Sequence, residues 1–231
     1  MRIAILEDDP HESFFVSHAL KTSGHTCYVF REGVDLKRRL QRETFDMLVL
    51  DWYVPGLSGA DLMTWVRTHE GGKSLPILFL SIRGDDAGIA HILDSGADDY
   101  IAKPVSGSLL RARVEALLRR SYRTRISRPV LDFGQFRFDV TERQAYANDK
   151  PIGLTQKEFE LALLLFQNIN RPLSRTYLVD LVWKRVTDLP SRTLDTHISQ
   201  LRTKLGLRPE NGYRVTPIHS YGYRLEQLMQ E

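Results

Sequence analysis

The sequence predicts a five-stranded parallel α/β domain followed by a smaller α+β domain. Three observations carry this expectation. Short apolar runs alternate with amphipathic stretches through the first 120 residues. A polar and basic segment, Arg119–Arg128, then breaks the pattern and is closed by Pro129. Beyond it lie short alternating stretches, three helical patterns and a terminal hairpin pattern. A chain of 231 residues has room for two domains of about 100 to 120 residues. The expected division is a first domain over 1–120, a linker over 121–129 and a second domain over 130–228.

In the first domain the apolar runs are Ile3–Leu6, Met47–Leu50 and Ile77–Leu80, with weaker ones at Cys27–Phe30 and Asp99–Ala102. Runs this short, bounded by turn residues, read as strands buried on both faces. The intervening stretches have helical periodicity. In Leu109–Leu118, for example, Leu110, Val114, Leu117 and Leu118 share one stripe. Five strands alternating with five helices imply a doubly wound, flavodoxin-like sheet covered on both sides. In the second domain, Val130–Phe138 and Ala145–Ile152 alternate as strands. Helices are expected near Thr155–Asn168, Ser174–Trp183 and Ser191–Leu205, and a hairpin over Tyr213–Leu225, an arrangement of winged-helix type.

Composition narrows the class. Apolar residues make up 42% of the chain, enough for two cores, and charged residues 26%, the usual share of a globular protein. One cysteine, Cys27, excludes an internal disulfide and a cysteine-based zinc site. The acidic residues from position 7 argue against a secretory signal, and no apolar run approaches the ~20 residues that cross a bilayer. A cytoplasmic protein without membrane attachment is expected. Residues 1–120 hold 15 Lys/Arg against 17 Asp/Glu, and residues 121–231 hold 17 against 12, so a basic second half follows an acidic first half. The basic half suits a polyanionic partner.

Ligands of a doubly wound sheet bind beyond the carboxyl ends of its strands. The polar residues at those ends are Glu7, Asp8 and Asp9 after the first strand, Asp51 after the third, Ser81 after the fourth and Lys103 after the fifth. Carboxylates gathered at one edge repel each other unless a cation sits among them, and Mg²⁺ accepts such oxygen ligands. A lysine there neutralises a phosphoryl group placed on one carboxylate, and a serine can bond a further phosphoryl oxygen. The set describes an aspartyl-phosphate site with Asp51, which ends the central strand, as nucleophile.

The segments ILEDD, LVLDWYVPGLSG, ILFLSIRG and GADDYIAKP closely resemble the four signature blocks of response-regulator receiver domains. The resemblance implies that Glu7, Asp8 and Asp51 bind Mg²⁺ together with the backbone carbonyl of Tyr53. It implies that Asp51 accepts a phosphoryl group from a sensor histidine kinase and that Lys103 pairs with it. Ser81 then moves to bond the phosphoryl group, and Tyr100 turns inward behind it. Haloacid-dehalogenase-type phosphatases also use an aspartate nucleophile, but need a second aspartate two residues later. Tyr53 stands there, so a regulator rather than an enzyme is expected.

In the third helix of the second domain, Leu194, Ile198, Leu201 and Leu205 fall on one face. Arg192, Thr196, Ser199, Gln200 and Thr203 lie opposite, flanked by His197, Arg202 and Lys204. An apolar stripe backed by short polar and basic residues suits a helix lying in a major groove of double-stranded DNA. The cations would pair with phosphates and Gln200 with an adenine. The segments LTQKEFELALLL, SRTYLVDLVW, RTLDTHISQLRTKL and GYRL resemble the winged helix of the OmpR/PhoB subfamily. That resemblance implies head-to-tail binding of two copies to direct-repeat half-sites, with the wing residues His219 and Tyr221 at the minor groove. It also implies a homodimer on activation and a contact of loop Lys184–Pro190 with RNA polymerase.

The chain departs from its relatives in four places. The wing, usually Arg-Gly-x-Gly-Tyr, reads His219-Ser220-Tyr221-Gly222-Tyr223, which weakens a cationic minor-groove contact near neutral pH. Ser199 and Gln200 stand where arginines are frequent. Ser81 replaces a commoner threonine and keeps the hydroxyl. Relatives dimerise through the fourth helix, fifth strand and fifth helix. Asp98, Asp99, Arg113 and Arg120 fit their ion-pair pattern, but Ile89 and Leu109 replace an Arg and a Glu. Those two leave open a second reading, a standing dimer that binds DNA without phosphorylation. The intact Glu7/Asp8/Asp51/Ser81/Lys103 set favours the phosphorylation-switched reading.

Overall fold

The computed structural model describes every residue except 70, 83–85, 123–128, 185–191 and 229–231, and only the backbone of 86–88. The chain forms two compact units, one of residues 1–41 and 45–123 and one of residues 42–44 and 124–231. Most of the expected linker therefore lies outside the described residues, as does loop 185–190.

In the N-terminal unit, strands β1 (Arg2–Leu6), β2 (Thr26–Phe30), β3 (Met47–Asp51), β4 (Ile77–Ser81) and β5 (Asp99–Ala102) alternate with five helices. These are α1 (Pro10–Lys21), α2 (Gly33–Leu40), α3 (Gly59–Thr68), α4 (Asp86–Asp94) and α5 (Gly107–Ser121). All four strand pairings are parallel, in the order β2-β1-β3-β4-β5. Every residue of β1, β3 and β4 is buried, because helices cover both faces. Side chains alternate along each strand. Ile3, Ile5, Val49 and Leu80 join Val16, Leu20, Leu110 and Val114 of α1 and α5. Ala4, Leu6, Leu48, Leu50 and Phe79 join Leu36, Leu62, Val66 and Ile92 of α2, α3 and α4.

The C-terminal unit opens with a four-stranded antiparallel sheet, β6 (Val130–Phe133), β7 (Phe136–Asp139), β8 (Gln144–Ala147) and β9 (Lys150–Ile152). Helix α6 (Gln156–Phe166) follows, then the short strand β10 (Leu173–Ser174), α7 (Arg175–Trp183) and α8 (Thr193–Lys204). The hairpin β11 (Tyr213–Ile218) and β12 (Gly222–Gln227) closes a second sheet in the order β10-β12-β11. One core joins Phe136, Phe138, Phe159, Phe166, Leu178, Leu194, Ile198, Leu201, Tyr213 and Leu225, and so binds the first sheet, the three helices and the wing.

Helix α6 starts with a closed capping box. Thr155 Oγ1 accepts from the Glu158 amide at 3.3 Å, and the Glu158 carboxylate accepts from the Thr155 amide at 2.7 Å. The same buried carboxylate accepts from Lys204 Nζ of α8 at 2.7 Å. Burial opposes its ionisation, but Lys204 and Thr155 outweigh burial and hold the Glu158 pKa below its ordinary 4.5. Its ionised form therefore stabilises the fold above about pH 4.5, and that contribution is lost as acidification passes the lowered value. Glu158→Gln should cost about 1–2 kcal/mol at neutral pH and flatten the acid limb of stability. Urea denaturation of the full chain between pH 3 and pH 7, about the range in which carboxylates titrate, checks this.

Candidate phosphoacceptor site and nucleic-acid interface

Parallel register brings the acidic residues of the receiver-like unit to one edge. Leu6 is aligned with Leu50, so Glu7 lies beside Asp51 where both strands end. Ser81 is aligned with Ala102, so Lys103 enters the same edge from β5. One carboxylate oxygen from each of Glu7, Asp8 and Asp51 lies within 4.8 Å of the other two. Glu7 and Asp51 are buried and Asp8 is exposed. Lys103 Nζ donates to Asp51 Oδ2 at 2.6 Å and to Glu7 Oε2 at 2.8 Å, and it also pairs with Glu12. Asp51 Oδ1 accepts from the Tyr53 amide at 3.0 Å. The observed Tyr53 contact thus runs through its N–H, whereas the resemblance assigns a role to its carbonyl.

Electrostatics follow from that crowding. Burial, reinforced by the neighbouring Asp51 charge, pushes the Glu7 pKa up to about 7 despite the Lys103 hydrogen bond. Burial acts against the Lys103 ammonium, but hydrogen bonds to Asp51, Glu12 and Glu7 raise its pKa above the ordinary lysine value. Asp9, third in the acidic run, is committed elsewhere. Its side chain caps α1 by accepting from the amides of Glu12 and His11, which lower its pKa.

Ser81 is fully buried at the end of β4, and its carbonyl accepts from the Tyr100 hydroxyl at 3.1 Å. The Tyr100 ring is buried. Trp52, next to Asp51, packs on Phe79 with ring centres 5.0 Å apart and edge-on to His91 of α4 at 5.9 Å.

The residues expected on a dimer face fall into three groups. Asp98 is held within its own chain by Arg67 Nη2 at 2.8 Å and the Ile77 amide at 2.9 Å, with Arg120 at 3.7 Å. Asp99 pairs with Arg113 at 3.2 Å. Leu109 is exposed, whereas Ile89 is half-buried and packs on the core beneath α4. The sequence pattern did not single out Arg67, whose guanidinium also donates to the carbonyls of Gly72, Leu75 and Gly96.

On α8 the apolar stripe is buried as its spacing predicts. Arg192, Thr196, Ser199, Gln200 and Thr203 form the exposed face. The flanking residues have partners inside the unit. His197 is half-buried, with Nδ1 2.8 Å from the Thr193 carbonyl and its ring edge-on to Trp183. Arg202 donates to the Val215 carbonyl at 2.8 Å, and Lys204 pairs with Glu158. His219 is exposed at the wing turn, and the carbonyl of half-buried Tyr221 accepts from the Arg175 amide at 2.9 Å. Ser220, in the usual glycine position, adopts φ +56°, a left-handed conformation that non-glycine residues rarely take.

The pattern also missed what orients α8. Asp195 in its first turn accepts two hydrogen bonds from Arg175, at 2.6 and 3.0 Å, and one from the Tyr223 hydroxyl at 2.5 Å. Arg175 first, then Tyr223, hold the Asp195 pKa below its ordinary range. Their spread over α7, α8 and β12 leaves no local signal in the sequence.

A doubly wound receiver sheet with an acidic edge, followed by a winged helix, defines a response regulator with a DNA-binding output. Comparison with known proteins agrees. Residues 3–115 match the response regulator receiver domain family, and residues 149–225 the family of transcriptional regulatory protein C-terminal domains. The chain is 32% identical over 225 residues to the phosphate regulon transcriptional regulatory protein PhoB of Rhizobium meliloti, covering 97% of this chain and 98% of that one. It is 33% identical to the transcriptional regulatory protein CreB of Escherichia coli, with 97% of each covered. The regulatory protein VanRB of Enterococcus faecalis is 34% identical, with 99% of each covered. Among solved structures, a signal receiver domain of a histidine kinase from Syntrophus aciditrophicus matches with a TM-score of 0.50 and 28% identity, covering 57% of this chain and 98% of that one. The chain belongs to the OmpR/PhoB-type response regulators, the DNA-binding transcription regulators of two-component systems. Among the described residues, no helix is long and apolar enough to cross a membrane.

Two substitutions probe these sites. A Cβ on Gly59 would lie 2.0 Å from the Asp51 carbonyl oxygen and 3.1 Å from the Phe79 ring. Gly59→Ala should therefore cost about 2 kcal/mol or more, read by urea denaturation. Asp195→Ala should cost only about 1 kcal/mol of stability, because the pair is part-exposed, but should lower DNA affinity by misorienting α8. Gel shift alongside thermal denaturation separates the two effects.

Proposed function

We propose that Asp51 is phosphorylated by a sensor histidine kinase, and that the modified receiver dimerises and places two winged helices on direct-repeat half-sites to regulate transcription. The observation that carries this reading is the Lys103 ammonium 2.6 Å from the Asp51 carboxylate, beside Glu7 and Asp8. Three oxygen donors from carboxylates suit a hard divalent cation better than a soft one. Glu7, Asp8 and Asp51 would hold Mg²⁺, which when bound neutralises charge on a phosphoryl group.

In the transfer, an Asp51 oxygen attacks phosphorus of the kinase phosphohistidine. The P–O bond forms as the P–N bond breaks, and the imidazole leaves with the bonding electron pair. Lys103 pairs with a phosphoryl oxygen, and the Ser81 hydroxyl bonds another. Ser81 and Tyr100 are drawn toward the modified Asp51, and Trp52, which packs edge-on to His91, links that shift to α4. Dimerisation through α4, β5 and α5 then raises the effective concentration of the second winged helix at its half-site. Arg192, Thr196, Ser199, Gln200 and Thr203 face the major groove, with Gln200 the candidate base reader, and His219 lies at the minor groove.

Beryllofluoride with Mg²⁺ mimics the phosphoryl group on Asp51. It should convert monomer to dimer by light scattering and tighten binding to a direct-repeat DNA by about tenfold or more, with no response in Asp51→Asn. A dimer that binds equally well without beryllofluoride would sink this reading and establish the phosphorylation-independent one. It would direct attention to Ile89 and Leu109.

A further inference from the structure

The geometry points to Glu12 as a positioning residue that restrains Lys103 and thereby sets how readily Asp51 takes up a phosphoryl group. The inference rests on Asp51 being the phosphoacceptor. An ammonium group has three N–H donors. Those of Lys103 face three carboxylates, Asp51, Glu7 and Glu12, so the lysine engages a phosphoryl oxygen only by leaving one of them.

The three are not equally easy to leave. The Glu7 side chain is 2% exposed and also accepts from the Asp9 amide at 3.3 Å. Asp51 carries the incoming group and is itself buried. The Glu12 side chain is 47% exposed, so water takes over its solvation when Lys103 departs. Glu12 is therefore the partner that yields.

Local geometry explains why Glu12 is there. It occupies the third position of α1, where a glutamate ordinarily bonds back to the amide of the capping residue. At α6 that box closes, through Thr155 and Glu158. At α1 the Asp9 amide donates to Glu7 instead, so the Glu12 carboxylate is released from the cap. The Asp9 side chain meanwhile holds the Glu12 amide at 2.8 Å and fixes where that side chain starts. The carboxylate extends to Lys103. There it competes with a phosphoryl oxygen for the same donor, and its negative charge repels the incoming anion.

The test titrates beryllofluoride, at saturating Mg²⁺, into the full chain and follows the fluorescence of Trp52, which adjoins Asp51. Glu12→Gln and Glu12→Ala should each lower the half-saturating concentration by about three- to tenfold, as loss of one partly screened charge a few ångströms away implies. With acetyl phosphate as donor, KM should fall by a similar factor while kcat changes less. Unchanged or weaker beryllofluoride binding in both variants would overturn the inference. A parallel loss of Mg²⁺ affinity would also overturn it, by making Glu12 a metal ligand. Absence of any wild-type response would be recognisably different, since it overturns the phosphoacceptor reading and this inference with it.

Discussion

A lysine ammonium among carboxylates governs the N-terminal half of this protein. Parallel strands deliver their carboxyl ends to one edge, and on this chain those ends carry Glu7, Asp8 and Asp51. Burial first, and the neighbouring Asp51 charge after it, raise the cost of ionising Glu7, whose pKa is pushed up to about 7. Lys103 relieves part of that cost and leaves a net negative basin suited to a hard cation.

Sheet topology does the positioning. Residues distant in sequence arrive together because β1, β3 and β5 end at the same level, and the close approach of Gly59 to the Asp51 carbonyl allows α3 to begin directly beneath the site. Helix α1 contributes through its cap. With Asp9 fixed as the N-cap and its amide taken by Glu7, the first turn of α1 is tied into the pocket rather than merely adjacent to it.

The C-terminal half obeys a different constraint. Helix α8 has to present short polar side chains while its back is buried, and two carboxylates secure that pose. Asp195 joins the start of α8 to α7 and the wing, and Glu158 joins its end to the capping box of α6. Arg202 adds a bond to the Val215 carbonyl of β11. The basic flank that looked free for phosphate contacts is thereby partly committed to holding the helix. The exposed face is mostly uncharged, with Arg192 at its N-terminal end.

Much of this was legible before folding. Parallel β-strands buried on both faces announce themselves as short apolar runs, so the sheet, its order of helices and the acidic residues at the strand ends followed from periodicity alone. The buried stripe of Leu194, Ile198, Leu201 and Leu205 was legible for the same reason, since spacing along one element determines which side chains share a face. Tertiary structure alone decided which polar groups pair. It set Glu12 against Lys103, closed Asp98 onto Arg67, bonded the Tyr100 hydroxyl to the Ser81 carbonyl, and tied Asp195 to Arg175 and Tyr223. Hydrogen bonds and ion pairs depend on atoms meeting within about 3 Å, and that proximity comes from how separate elements pack, which no spacing along the chain encodes.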